Sequence, residues 1–166
     1  MHVREGEIVR KLLAVVLLLA ACRSSAPPAV TPSGALYGAS SPRAAVEAFL
    51  AGIKAQDLQA ISAVWGTERG PLVTAGDISR DEVEKRELIM ICYFRHDTAR
   101  VLDQAPSGRA DRPSFRVELQ RDGQTRQPTF TTAQGPQGRW FVADADVQAV
   151  RDFCNPQAPR SNPPRR

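Results

Sequence analysis

Cys92 and His96 stand four residues apart, a spacing that stacks two side chains on one helical face. A thiolate beside an imidazole is a nucleophile with its own base. Against that use, Cys92 sits within Leu88-Ile89-Met90-Ile91-Cys92-Tyr93-Phe94, and a thiol buried among apolar groups is inert. A second set is His96 as general base in a pocket with Asp97 and Tyr93. Asp97 is adjacent to His96, but neighbouring residues of a strand point to opposite faces. The plainer reading of His96 is a histidine at a helix end, favoured there by the dipole. The chain holds two histidines, and the other, His2, lies at its start. Zinc catalysis ordinarily draws on several His, Cys or carboxylate ligands, so no metal is expected. No cofactor is expected either, since neither G-x-x-x-x-G-K nor G-x-G-x-x-G occurs. Asp144 and Asp146 flank Ala145, a spacing that suits paired carboxylates, although Asp146 also reads as a helix cap. Trp65, Tyr93, Phe94, Phe115, Phe130 and Trp140 offer the area to line a pocket, or simply form the core.

The elements that must hold these residues follow from periodicity. Ser41 is a good N-cap and Pro42 suits a first helical position, with Val46, Phe49, Leu50 and Ile53 as the apolar stripe behind them. Asp57 can cap a second helix through Leu58, Ile61, Val64 and Trp65, with Gly66 as its stop. Thr67 to Ile78 reads as a loop carrying Leu72 and Val73. Ser79-Arg80-Asp81-Glu82 is a capping box, opening a third helix through Val83, Leu88, Ile91 and Cys92. Leu88 to Phe94 is apolar nearly all round, which predicts deep burial.

From Asp97 the period becomes two. Ala99, Val101 and Asp103 share one side of a strand; Phe115, Val117 and Leu119 alternate with polar residues in the next. Asp122-Gly123 is a hairpin turn, and Thr125 to Thr132 returns with Pro128 at an edge or bulge. Gly135-Pro136-Gln137-Gly138 turns into a strand from Arg139 to Ala143. Asp146 then starts a last short helix with Val147, Val150 and Phe153 inward, closed by Cys154. The fold class is α+β: N-terminal helices packed on a curved antiparallel sheet.

The formal net charge of +4 does not lie on this part. Between Pro42 and Cys154 there are 15 Lys plus Arg against 16 Asp plus Glu. A nucleic-acid binder carries its positive charge on the folded domain, so no nucleic-acid partner is expected. The basic excess sits near the two ends, including Arg160, Arg165 and Arg166 in a tail, 155–166, that reads as disordered.

The start of the chain has its own chemistry. Arg10 and Lys11 precede an apolar run of ten residues, Leu12 to Ala21. A membrane-spanning helix needs about twenty apolar residues. Ten suits a signal peptide, here residues 1–21. Glu5 and Glu7 are unusual in such a leader and fit a later translation start. Leu19-Ala20-Ala21-Cys22 resembles the lipobox of bacterial lipoproteins. That resemblance implies diacylglycerol on the Cys22 sulfur, cleavage before Cys22, and a membrane partner reached through the lipid. An ordinary signal peptide with a chance cysteine, or an uncleaved anchor, is the alternative. Arg23 is not the Asp that resembles an inner-membrane retention signal, so the expected place is the cell envelope. In a two-membrane cell that means the outer membrane, facing the periplasm. Residues 22–40 follow as the lipidated Cys and a Ser-, Pro-, Ala- and Gly-rich linker, and 41–154 form the domain. With Cys22 taken, Cys92 and Cys154 are an even pair in an oxidising compartment, which predicts a disulfide; two buried thiols are the alternative.

The element order, headed by Ser41-Pro42-Arg43-Ala44-Ala45-Val46-Glu47-Ala48-Phe49-Leu50-Ala51-Gly52-Ile53-Lys54-Ala55-Gln56-Asp57-Leu58, resembles the nuclear transport factor 2-like (cystatin-like) superfamily. The resemblance runs over roughly Ser41 to Cys154. It implies a cone with a pocket between the third helix and the sheet, with Trp65, Tyr93, Phe115, Phe130 and Trp140 as candidate lining. That superfamily holds isomerases, dehydratases, hydrolases and non-catalytic binding domains, and a fold alone does not choose among them. No Asp/His/Tyr set matches a catalytic member. The function expected is therefore a membrane-anchored, non-enzymatic domain that binds a small apolar ligand or an envelope protein. The alternative is a cone-fold enzyme, isomerase- or hydrolase-like, using His96.

Overall fold

Ser41 opens the first helix: its Oγ accepts from the Ala44 N–H at 3.2 Å, and Pro42 takes the first helical position. The computed structural model describes residues 37–106, 109 and 111–154, all within one compact unit. The leader, Cys22, most of the linker and the tail 155–166 lie outside the described residues. Helix α1 spans Pro42–Ala55 and buries Ala45, Val46, Phe49, Leu50 and Ile53. Gln56 ends it in the left-handed region (φ 55°), and Asp57 caps α2, Leu58–Val64, by accepting from the Ala60 N–H at 3.1 Å. The two helices approach closely at Gly52, where a Cβ would lie 3.0 Å from the Ile61 side chain.

The stretch expected to be a loop holds short structure. Strands β1 (Gly66–Thr67) and β2 (Gly70–Pro71) pair as a minimal hairpin, and α3 (Leu72–Ala75) is a single turn. Helix α4 then runs Arg80–Phe94, with the Ser79 Oγ accepting from the Glu82 N–H at 3.3 Å. The Glu82 carboxylate turns instead to Arg86 at 2.9 Å, so one half of the expected capping box forms.

The buried stripe of α4 differs from the one expected. Val83, Glu87, Met90 and Phe94 face inward, whereas Leu88 and Ile89 are 57% and 53% exposed. The expectation of deep burial throughout Leu88–Phe94 is thus overturned. A helix packed on one side buries one stripe at the 3.6-residue period, however apolar its other faces are. That stripe carries a glutamate, which periodicity of apolar residues passes over.

Five strands form the sheet: β3 (Thr98–Ala105), β4 (Ser114–Arg121), β5 (Gln124–Arg126), β6 (Thr129–Gln134) and β7 (Trp140–Ala145). All pairs are antiparallel, in the order β3-β4-β6-β7, with β5 also on β4. Asp122 and Gly123 both have positive φ (49° and 74°), as the tight hairpin between β4 and β5 requires. Pro128 interrupts the return strand between β5 and β6, while its carbonyl still accepts from the Val117 N–H at 3.0 Å. The register shifts between Val101 and Gln104 in β3 and between Thr131 and Thr132 in β6. Of the three residues expected to share one side of β3, Val101 is buried and Ala99 and Asp103 are exposed. Asp146 accepts from the Gln148 and Ala149 N–H groups, starting a 3-10 turn and then α5, Arg151–Cys154.

Helices α1, α2 and α4 lie against the buried residues of the sheet, Phe115, Val117, Leu119, Phe130 and Val142. Phe130 is the centre: its ring lies 6.0 Å from Phe49 and 5.0 Å from Phe94, with the rings tilted. Cys92 and Cys154 are joined, with an S–S distance of 2.05 Å and Cα atoms 5.0 Å apart, tying α5 to α4.

Both sheet edges carry covering groups, along only part of β3. At β7, Ala39 exchanges backbone hydrogen bonds with Trp140 (2.8 and 2.9 Å), and the Gly38 N–H donates to the Ala63 carbonyl at 2.6 Å. Residues 37–40, expected as the end of the linker, therefore belong to the folded domain. An unpaired strand edge is a row of free N–H and C=O groups, and a polar linker satisfies them as well as any sequence. At β3 the covering groups are side chains of α1.

Candidate functional site

Residues Arg43, Glu47, Leu50, Ala51 and Lys54 recur at helical spacing along α1 and face His96, Ala99, Arg100 and Val101 across the free edge of β3. Between them lies a cleft of about 440 Å³, within the range of small-molecule sites. Leu50, Val101 and His96 form its buried floor. Cations bridge its two ends. The Lys54 Nζ donates to the Asp97 carbonyl at 2.8 Å. The Arg43 guanidinium donates to the Val101 carbonyl at 2.7 Å and the Leu102 carbonyl at 3.0 Å, and to Glu47 at 3.1 Å. Arg100 reaches Glu118 at 3.1 Å.

His96 lies past the end of α4 and is 7% exposed. Its Nδ1–H donates to the Phe94 carbonyl at 2.8 Å, which leaves Nε2 as the bare nitrogen of the neutral ring. Burial holds its pKa below the ordinary imidazole value, aided by the nearby Lys54 charge. The surroundings of His96 thus disfavour the histidinium that the helix end was expected to favour. Burial disfavours the charge and outweighs the hydrogen bond to the Phe94 carbonyl, which favours it.

The expected partners of His96 do not converge on it. Asp97 is exposed, and its Oδ2 accepts from the Asp122 N–H at 3.0 Å, bracing the β4–β5 turn. Tyr93 is half-buried against the core and is not among the residues lining the cleft. The Cys92 sulfur is bonded to Cys154, so no Cys92–His96 nucleophile exists in this state. The candidate aromatic lining does not surround this cleft either. Phe115 and Phe130 are core residues, and Trp65, Tyr93 and Trp140 pack on the core's margin. The Phe130 ring packs edge-on and tilted against Phe49 and Phe94 within the core. Asp144 accepts from the Ala145 N–H, and Asp146 caps the last turn.

One buried ionisable group escaped the sequence reading. Glu87 has no exposed surface; its Oε1 accepts from the Ser62 hydroxyl on α2, and its Oε2 has no partner among the described residues. Burial raises its pKa, against the opposing effect of the Ser62 hydrogen bond. The signal was present: Glu87 lies four residues after Val83, three before Met90 and seven before Phe94, on the inward stripe. Among the described residues no group of three or more His, Cys, Asp or Glu side chains is placed to hold a metal ion. No helix among them is long and apolar enough to cross a membrane.

No protein-family model matches the sequence, and no curated protein sequence matches it. Among solved structures, the chain is similar to one described as the crystal structure of the IdmH 96-104 loop truncation variant. The two are 14% identical; the match covers 68% of this chain and 98% of that chain, with a TM-score of 0.38.

Proposed function

We propose that the chain is an envelope lipoprotein, anchored through Cys22, whose domain binds a ligand or partner without chemistry. The observation that carries this reading is the divergence of His96 and Asp97. The imidazole turns to a carbonyl at the cleft floor, and the carboxylate turns to a hairpin amide. A general base needs an oriented acid or nucleophile within hydrogen-bond reach, and here the neighbouring acid is engaged elsewhere. The cleft instead offers buried apolar floor and fixed donors, which are the parts of a binding site. In this reading the fold is a cone of the nuclear transport factor 2-like type. The helix-then-meander order supports that, as do the two register shifts, because bulges bend a strand and curve its sheet. The disulfide from Cys92 to Cys154 suits an oxidising compartment outside the cytoplasm.

The test has two arms. Cells expressing the chain are fed radiolabelled palmitate; label should enter the protein and vanish in Cys22→Ala. Unchanged labelling in that variant overturns the anchor. In the second arm, crosslinking in intact envelopes should capture a partner or ligand. Failure to do so, together with turnover of a substrate that His96→Ala abolishes, would favour the enzymatic reading. What favours that second reading is His96 itself, at the floor of a cleft, where burial lowers its pKa and so favours the neutral form that a general base requires.

A further inference from the structure

The α1 side chains take backbone carbonyls on either side of Ala99, in the first half of the β3 edge. Lys54 takes the Asp97 carbonyl and Arg43 takes the Val101 carbonyl. On the edge of an antiparallel sheet, the backbone groups of alternate residues point the same way. Ala99, midway between those two residues, therefore presents its own N–H and C=O to the cleft that it lines. Among the described residues no side chain hydrogen-bonds to either group.

The charges around this amide are unequal. Arg43, Lys54 and Arg100 line the cleft with Glu47 as the one acid. Arg43 is committed to two carbonyls and Glu47. Lys54 uses one of its three donors, and Arg100, 70% exposed, uses one arm of its fork on Glu118. Lys54 and Arg100 thus keep spare donors in the cleft that Ala99 also lines, with Leu50 and Val101 as its apolar part.

We propose that this cleft binds a small organic carboxylate. Its oxygens would sit between the Lys54 ammonium and the Ala99 N–H, and its hydrocarbon part on Leu50 and Val101. Hydrogen bonds from a cation and an amide to one carboxylate are the strong, charge-assisted kind. The apolar floor distinguishes such a ligand from a bare inorganic anion, which gains nothing from Leu50. This inference rests on the binding-domain reading and names its ligand class.

The experiment uses the full chain, purified in detergent micelles, with ¹⁵N NMR following the amides of Ala99 and Ala51. Sodium butyrate is the probe, with butyramide and inorganic phosphate beside it. Butyrate should shift both amides saturably, and butyramide should bind at least about tenfold more weakly, as expected for the loss of one charge-assisted contact. Lys54→Gln and, separately, the exposed Arg100→Gln should each weaken butyrate binding, and Lys54→Arg should restore it. Arg100→Gln keeps the test open if the Lys54 variant fails to fold. An Ala99 amide unmoved by millimolar butyrate overturns the proposal. So does butyramide binding as tightly, or phosphate shifting Ala99 as strongly as butyrate. If butyrate fails while the anchored chain still crosslinks to an envelope component, the cleft assignment falls and the binding-domain reading stands. Turnover that depends on His96, with the butyrate shift intact, does the reverse.

Discussion

The Glu87 carboxyl and the Ser62 hydroxyl share a hydrogen bond across the contact of α2 with α4, where Glu87 has no exposed surface. An ionised carboxylate there would lose its hydration for one hydroxyl donor, so the protonated form is favoured in the folded chain. The unfolded chain releases that proton in the ordinary carboxylate range, whereas the folded chain holds it to higher pH. Stability from this group is therefore full below the ordinary range, and falls as pH rises toward the folded-state value. Urea midpoints measured across that window should decline with pH, and Glu87→Gln should remove the decline. A midpoint equally pH-dependent in the variant would sink this account.

Ser62→Ala tests the same contact from the other side. It strips the carboxyl of its one partner and leaves both oxygens buried and unsatisfied. The expected loss is about 1–3 kcal/mol of unfolding free energy. Chemical denaturation at acid pH, where Glu87 is protonated in both states, reads it without the ionisation.

His96 should slope the other way. Its pKa is lowered by burial, so the unfolded chain takes up a proton near the ordinary imidazole value while the folded chain resists. Stability contributed by the neutral ring is present above that value and is lost as pH falls toward the folded-state pKa. An NMR titration of the His96 ring should give a midpoint below 6.5. A midpoint at or above it contradicts burial as the dominant influence on the ring.

Phe141 is held by glycines at three places. A Cβ on Gly135 would lie 2.7 Å from its ring, one on Gly38 2.8 Å, and one on Gly66 2.9 Å. Gly135→Ala and Gly66→Ala should each lower stability by about 1–3 kcal/mol through overpacking. Thermal unfolding of the single variants checks this; at Gly66 the added Cβ also meets the Gly70 backbone carbonyl, so only the Gly135 variant can be relieved by movement of the ring, and two unchanged melting temperatures would refute the overpacking.

The Cys92–Cys154 bridge closes a loop with a sequence separation of 62 residues. Opening it should cost about 4 kcal/mol if chain entropy dominates. Thiol titration of the unfolded chain without reductant should find neither cysteine reactive, and the Cys92→Ser, Cys154→Ser double variant should melt well below the parent. Two reactive thiols beyond Cys22 would remove the bridge.

Local chemistry was legible along most of the chain. Ser41, Asp57, Ser79 and Asp146 each cap the helix or turn that they announce, because a cap needs only an acceptor a few residues from the amides it serves. The Asp122-Gly123 turn and the strand of Phe115, Val117 and Leu119 were equally plain. The inward stripe of α4 was not. Leu88 and Ile89 are more apolar than Glu87, and rank by hydropathy put the wrong face inside. Nor did the sequence show that residues 37–40 belong to the domain, since what holds them is the open edge of β7, a hundred residues away.

Composition and spacing by themselves determined the α+β class, the helix starts, the turns and the pairing period of the strands, because each depends on residues within a few positions of one another. The packed structure alone decided that Phe130 fills the interior, that Asp97 turns from His96, and that α1 lies along the β3 edge to leave a cationic cleft. Those are contacts between residues far apart in the chain. Which of many compatible side chains meets another is set by how whole elements pack, and no short window of sequence contains that.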